Sequence, residues 1–427
     1  MRILMMSNTY APVIGGLEES IRSFSQEFRA QGHRVVIVAP TFDGMNERED
    51  DVVRVPAIQN FLREGVSLTL PIPLFLSHFI KEFQPDIIHS HHFFWVGDMA
   101  LRLARQHHIP LIFTYHIMLE HYADFLPIHN ERIKRFVLKL ATGYANLTNA
   151  VIAPSRAVRD ILRRDGVVRP VHIIPTGIDM KRFSQGNAAE FRERWAIPPN
   201  AFVAGFVGRL NPEKNLEFLA RAAAVFLKRN HRAHCLIVGD GLMKDPIKNI
   251  LNDAGVADRL HMTGALQGQD LIDAYHAMDV FIFSSHSETQ GLVLLESLAS
   301  GTPVAAIDAP AIREIIKDQN NGRLLTVEDE EAFASGITWF AQLSETEWQR
   351  IRQNARATAG AFSMERSAKR LLDLYRNLTF KGTLSRRKNT VWDAFKDSLK
   401  TEKDLLKNAL EAGEAAVLGK TAPEEQP

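Results

Sequence analysis

Cysteine is almost missing from these 427 residues; Cys235 is the only one. A lone cysteine excludes an intramolecular disulfide framework and zinc clusters of the CxxC type. It lies in the apolar run Cys235–Val238 and reads as a buried, inert thiol. Net charge is almost missing too. Lys and Arg total 51 against 50 Asp and Glu, leaving +1, so no broad basic field argues for nucleic acid as a partner. No apolar run reaches the roughly 18 residues that a membrane span needs. The start, Met1-Arg2-Ile3-Leu4, reads as a strand at once, without a cleavable signal pattern, so a cytoplasmic protein is expected.

What is present is the balance of a globular protein, 45% hydrophobic and 24% charged, in a chain too long for one ordinary core. Short apolar runs alternate with helical patterns. The strand-like runs include Ile3–Met6, Val35–Ala39, Asp86–His89, Leu111–Tyr115 and Ala150–Ala153. Between them lie stretches such as Leu17–Gln31, where Ile21, Phe24 and Phe28 keep a helical period. The rhythm restarts at Phe202–Val207 and continues through Cys235–Val238, Val280–Phe283 and Val304–Ala306. Strands buried on both faces and alternating with helices predict parallel, doubly wound sheets. Two such α/β domains are expected, joined near Thr176–Phe183, where Pro175-Thr-Gly-Ile-Asp179 supplies turn residues. Open α/β sheets bind ligands at the carboxyl ends of their strands, so two facing sheets would enclose an interdomain cleft.

The most specific segment is Ser287-Glu-Thr-Gln-Gly-Leu-Val-Leu-Leu-Glu296. It reads as a polar loop after the strand Val280–Phe283, running into a helix. Free N–H groups and a positive dipole end at such a helix start favour a pyrophosphate. Glu288 can accept hydrogen bonds from sugar hydroxyls, and Glu296 can reach a ribose diol. Both also fit a plain dipole-stabilising role. A second turn, Gly208-Arg209-Leu-Asn-Pro-Glu-Lys214-Asn215, follows the strand Phe202–Val207. Without a metal ion, Arg209 and Lys214 would stabilise charge developing on a leaving diphosphate. Gly15 and Gly16 open a helix after the first strand, where glycine lets backbone approach a ligand closely. His116 ends the strand Leu111–Tyr115. The cluster His89-Ser90-His91-His92 lacks an acidic or cysteine partner at metal-ligand spacing and reads as cleft lining, with no metal expected.

Gly208-Arg209 with Lys214, the glycine loop Val238-Gly-Asp-Gly241 and the Glu288/Glu296 pair together resemble the family 4 glycosyltransferases. The resemblance covers roughly residues 1–377. It implies the GT-B fold, an α/β architecture of two facing Rossmann-like doubly wound domains. It also implies a retaining, metal-independent hexosyltransferase that uses a nucleotide-sugar as substrate and needs no cofactor. On that resemblance Arg209 and Lys214 contact the donor phosphates, Glu288 the transferred sugar and Glu296 the ribose. Backbone amides of Gln290, Gly291, Leu292 and Val293 hold sugar hydroxyls and phosphate, Gly15, Gly16 and Gly239 lie at the donor, and His116 lies close to the sugar. The implied division is an acceptor domain over residues 1–177 and a nucleotide-sugar domain over 178–362. A helix at 363–380 would return to the first domain, and 381–427 would form an amphipathic extension with a disordered tail.

Thr114-Tyr-His116-Ile-Met-Leu-Glu120-His-Tyr122 with Ser287–Gly291 resembles the diacylglycerol glucosyltransferase branch. That implies UDP-glucose as the favoured donor, 1,2-diacylglycerol as acceptor and peripheral contact with the inner face of the cell membrane. Two stretches suit such contact, the basic and apolar Arg132–Lys139 and the apolar Leu68–Phe83, although each also reads as an ordinary helix. After Arg386-Arg387-Lys388, Trp392, Phe395, Leu399 and Leu406 share one helical face, for packing on the protein or for a membrane. A polysaccharide or lipopolysaccharide glycosyltransferase would share every donor residue. A non-catalytic nucleotide-binding α/β module is the alternative of a different class, and the intact set of Arg209, Lys214, Glu288 and Glu296 argues against it. A phosphorylase would need a pyridoxal-phosphate lysine that no segment suggests, and the Glu288/Glu296 spacing speaks against a sugar-phosphate epimerase.

Overall fold

The computed structural model describes residues 1–13, 15–42, 50–58, 68–69, 73–116, 131–385 and 391–418. The chain forms two compact units, Met1–Gly177 with Glu365–Pro427, and Ile178–Met364.

The first unit opens with β1 (Arg2–Met6), α1 (Gly16–Ala30), β2 (Arg34–Pro40) and β3 (Val52–Val55). A small antiparallel pair, β4 (Ala57–Ile58) and β5 (Leu68–Thr69), precedes α2 (Pro73–Phe83), β6 (Ile87–Ser90), α3 (Val96–Gln106) and β7 (Leu111–Thr114). Then come α4 (Glu131–Leu147), β8 (Ala150–Ala153), α5 (Arg156–Arg164) and β9 (Val171–Ile173). The seven main strands pair in parallel in the order β3-β2-β1-β6-β7-β8-β9. Ile21, Phe24 and Phe28 form the buried face of α1, as their period predicts.

The second unit begins with α6 (Met180–Phe183), α7 (Ala188–Arg194) and β10 (Phe202–Val207). A single 3₁₀ turn, Pro212–Lys214, leads to α8 (Leu216–Arg229), β11 (Ala233–Val238), α9 (Lys244–Asp253), β12 (Leu260–Gly264) and α10 (Gly268–Ala277). Next are β13 (Val280–Phe283), α11 (Leu292–Ser300), β14 (Val304–Ile307), α12 (Pro310–Ile315), β15 (Gly322–Leu325), α13 (Glu330–Ala341) and α14 (Glu345–Ala361). Its sheet is parallel in the order β12-β11-β10-β13-β14-β15. Phe206, Phe281 and Phe283 stack in its core, with centroids 6.0–6.3 Å apart.

Strand order reverses beside β1 in the first sheet and beside β10 in the second. Loops diverge from the carboxyl ends of the two strands flanking a reversal and leave a crevice there. Gly15-Gly16 comes after β1, Gly208–Asn215 after β10 and Ser287–Glu296 after β13, while His116 and Gly239 follow the next strands out, β7 and β11.

Two helices close the chain, α15 (Met364–Ser385) and α16 (Val391–Leu418). Tyr375 of α15 is fully buried against Phe28, with ring centroids 5.8 Å apart. The packing partners of α16, unreadable from the sequence, are α4 and α3. Its buried side is small and polar, carrying Thr401, Asn408, Ala412 and Ala415. Asn408 donates to the Leu140 carbonyl at 3.1 Å. It also lies where any side chain on Gly143 would stand, a Cβ there coming within 1.6 Å of Asn408 Oδ1. Arg102 grips Glu402 through two bonds of 2.6 and 3.0 Å, and Arg105 meets Asp404 at 2.8 Å. Of the apolar stripe in the sequence, Leu399 and Leu406 face outward instead; the side chains of Trp392 and Phe395 lie outside the described ones.

Candidate active site

In the second unit the loops after β10, β11 and β13 are sewn together. The Gly208 amide donates to the Val238 carbonyl at 3.0 Å, and the Leu210 amide donates to the Asp240 carbonyl at 2.9 Å. On the other flank Ser284 Oγ donates to the carbonyls of Lys214 and Asn215, at 2.9 and 3.0 Å. Within this frame Lys214 Nζ donates to Glu288 Oε1 at 2.6 Å, and both side chains are mostly buried, 17% and 14% exposed. A charge-assisted bond at that burial fixes both rotamers. The structure therefore joins two residues that lie 74 positions apart. Arg209 stands more open at 65% exposure, 3.9 Å from Glu213. Glu213 Oε1 is buried without a hydrogen-bond partner among the described residues.

Two glycines here are needed by the fold itself. Gly239 has φ +145°, and a Cβ on it would lie 1.9 Å from the Gly208 carbonyl oxygen, so glycine lets the β10 and β11 loops meet. Gly291 takes the left-handed conformation, φ +79°, as the N-cap of α11. Leu292 and Val293 open that helix, where N–H groups lack intrahelical acceptors. Gln290 beside them is buried. Gly15 differs. Its φ of −175° is ordinary extended backbone, and a Cβ would meet only the flexible end of Glu18. The turn does not require glycine there, which removes the structural explanation for Gly15. Gly16 is the first residue of α1.

Glu296 lies on α11, and its Oε2 accepts from Tyr275 Oη at 2.7 Å. Burial, reinforced by the Glu296 charge, pushes the Tyr275 phenol well above its usual pKa. The phenol therefore stays a donor and holds the carboxylate in place. No sequence signal marked Tyr275, because it comes from α10 and reaches Glu296 only through tertiary packing.

His116 belongs to the first unit, just after β7. Its Nε2 lies 2.9 Å from His91 Nδ1. His89 bridges Tyr375 Oη and Thr114 Oγ1, both at 2.6 Å. These three rings, with Ser20, Thr114 and Thr176, line a small cavity. His92 turns away from it and accepts from the Asn8 amide at 3.1 Å, a structural role. Burial lowers His89 and His116 to about 3, His92 to about 4 and His91 well below its usual value. All four are neutral at pH 7. His91 Nε2 is buried without a partner among the described residues. The pairing of His91 with His116 was not visible in the sequence, since adjacent strands bring them together across 25 positions. Among the described residues, no group of three or more His, Cys, Asp or Glu is arranged to hold a metal ion.

Of the stretches expected at a membrane, Leu68–Phe83 sends Leu76, Ile80 and Phe83 into the core. In Arg132–Lys139, Arg135 donates to the Ala415 carbonyl at 3.2 Å and so helps seat α16. Residues 117–122, 386–388 and 421–427 lie outside the described residues. No helix among the described residues is long and apolar enough to cross a membrane.

Residues 14–182 match Glycosyltransferase Family 4, and residues 187–358 match Glycosyl transferases group 1. An alpha-monoglucosyldiacylglycerol synthase of Streptococcus pneumoniae is 33% identical over 337 residues, 76% of this chain and 75% of that protein. A GDP-mannose-dependent alpha-mannosyltransferase of Mycobacterium tuberculosis is 30% identical over 332 residues, 76% of this chain and 84% of the other. The structure of Anabaena Alr3699/HepE in complex with UDP matches with a TM-score of 0.72 at 21% identity, covering 88% of this chain and 100% of that one. The two parallel sheets and this likeness are those of the two-domain, Rossmann-like GT-B fold. On its sequence relatives, its motifs and its architecture, the chain belongs to the family 4 glycosyltransferases.

Proposed function

We propose that this glycosyltransferase moves a hexose, glucose in the favoured reading, from a UDP-sugar to a lipid acceptor such as 1,2-diacylglycerol. It would act peripherally at the inner face of the cell membrane, with retention of configuration and without a metal ion or other cofactor. The observation that carries the reading is the Lys214–Glu288 pair beside the α11 N-terminus, at the strand reversal. A cation, a carboxylate and free N–H groups together suit a glycosyl diphosphate, with Lys214 and Arg209 on the phosphates and Glu288 on sugar hydroxyls. Glu296, steadied by Tyr275, would take the ribose diol. Amides of Gln290–Val293 would complete the donor contacts, Gly15 and Gly16 would admit the phosphates closely, and His116 would lie near the sugar as a neutral ring.

The bond from the anomeric carbon to the diphosphate breaks first, with the electron pair leaving on phosphate oxygen. The acceptor hydroxyl bonds to the same face of the oxocarbenium-like ion, and its proton passes to a phosphate oxygen. Lys214, Arg209 and the helix dipole stabilise the charge that develops on the leaving group. The pneumococcal relative supports the glucosyl and lipid parts of the reading. The mycobacterial relative favours a second reading, mannosyl transfer from GDP-mannose.

A transfer assay with EDTA present, pairing radiolabelled UDP-glucose, UDP-galactose or GDP-mannose with diacylglycerol in mixed micelles, tests both. Label entering the lipid from UDP-glucose, with the α-anomer in the product, is the expected result. Transfer from GDP-mannose alone selects the second reading. Slow donor hydrolysis without transfer refutes the lipid acceptor, and failure to bind any donor refutes the whole site.

A further inference from the structure

Helix α16 has an outer face that its packing on α3 and α4 does not use. Leu399, Leu406, Leu410 and Val417 are 57%, 61%, 60% and 71% exposed. At 3.6 residues per turn, their Cα positions fall within about 40° of one another around the axis. They form one apolar stripe along three turns and more, opposite Thr401, Asn408, Ala412 and Ala415. Exposed Lys396, Lys400, Lys403 and Lys407 run along one side of it. By the same geometry they lie roughly 40–100° from the stripe. On its other side Glu402 is already engaged with Arg102. Exposed Glu411 and Glu414 come later, and Glu411 pairs with Lys407 at 3.5 Å. The face is therefore apolar along its length and basic over its first half. Arg386-Arg387-Lys388 precede it in the sequence.

We propose that this outer face of α16 docks on an anionic lipid surface. Leucine and valine side chains enter the boundary between headgroups and acyl chains, and flanking lysines extend their stems along it to reach anionic headgroups. The charge pattern favours lipid. Four lysines bordering an apolar stripe match a negatively charged leaflet, and the bias is cationic even after Glu411 and Glu414 are counted. Area favours it as well, since four aliphatic side chains on one helix fall far short of the roughly 800 Å² per partner of a standard protein interface. The family matches end at residue 358, so this surface belongs to the extension and not to the shared transferase body.

The docking surface deepens the lipid-acceptor reading, but its test does not depend on it. The full chain is sedimented with vesicles of phosphatidylcholine alone, or with roughly a third phosphatidylglycerol, containing neither diacylglycerol nor donor. Failure here would leave the transfer assay intact, and failure of transfer would leave this result intact. The expected result is binding to the anionic vesicles only, weakened by added salt. Leu406→Glu with Leu410→Glu should reduce it about tenfold or more at an unchanged melting temperature. Lys400→Glu with Lys403→Glu, which leaves the stripe untouched, should do the same and serves if the leucine variant misfolds. No binding by the parent chain, or full binding by folded variants, overturns the proposal. So does a concentration-dependent dimer that the same substitutions dissolve, because the stripe would then be an interface between two copies.

Discussion

The two units bury polar groups at equivalent places, the strand ends beside a reversal, and they do so in opposite ways. In the second unit the groups keep their charges and cancel them, with Lys214 against Glu288 under partial cover. In the first unit the groups are histidines under full cover, and burial strips their charge. A half-open ion pair can exchange partners with an incoming anion at modest cost. A buried neutral cluster cannot accept a proton without placing a charge where water does not reach it. The comparison separates a surface built to meet a charged substrate from one that stays uncharged whatever arrives.

Acid should break this comparison most strongly, and chiefly in the first unit, since the lowered histidines of the second, His234, His261 and His276, are only partly covered. His89, His92 and His116 have folded-state values of about 3 to 4 against 6.5 for an unfolded histidine. The native state therefore binds fewer protons, and stability is complete above pH 6.5 and falls as pH drops from there toward about 3. Each such histidine should cost about 2 kcal/mol at pH 5, as an order of magnitude. Thermal melts at pH 7 and pH 5 should show the first unit melting earlier in acid, and His89→Phe should flatten that dependence. An equal shift of both units would refute a histidine origin.

Lys214→Ala comes next. It removes the cation proposed for the leaving diphosphate and strands Glu288, so kcat should fall about 10²–10³-fold with a smaller change in KM. A change confined to KM would reduce Lys214 to a ground-state contact. Glu296→Ala should weaken donor binding by about 1–3 kcal/mol in calorimetry. Tyr275→Phe should have the smallest effect, about 1 kcal/mol on donor affinity, by releasing the Glu296 carboxylate. If Tyr275→Phe matched Glu296→Ala, the phenol would itself touch donor and the positioning role would be wrong.

The strands that composition revealed and those it did not divide along a physical line. Val280–Phe283 and Ala150–Ala153 were legible to the residue because central strands, covered on both faces, need unbroken apolar runs. β3, β9, β12 and β15 did not stand out among the apolar runs, and each is the edge strand of its sheet. Their residues are mostly half-buried, as in Val171–Ile173 and Leu260–Gly264, so polar residues interrupt the pattern. The site divides in a similar way. Lys214, Glu288 and Gly291 sit in local motifs tied to a strand-to-helix turn. Tyr275 and His91 act on residues distant in sequence, and only the packing discloses them. The α16 stripe was legible as a stripe, but which side met the protein was not, because small residues at a helix crossing leave little mark in hydropathy.

The bond between Tyr375 and His89 also bears on the order in which the protein comes into being. Tyr375 arrives on α15, after the whole of Ile178–Met364 has been made. The second unit is continuous and can close while the ribosome is still at work, at roughly 5–20 residues per second. The first unit, although begun earlier, holds its histidine cavity unfinished until that tyrosine emerges. The domain translated first is thus the one completed last.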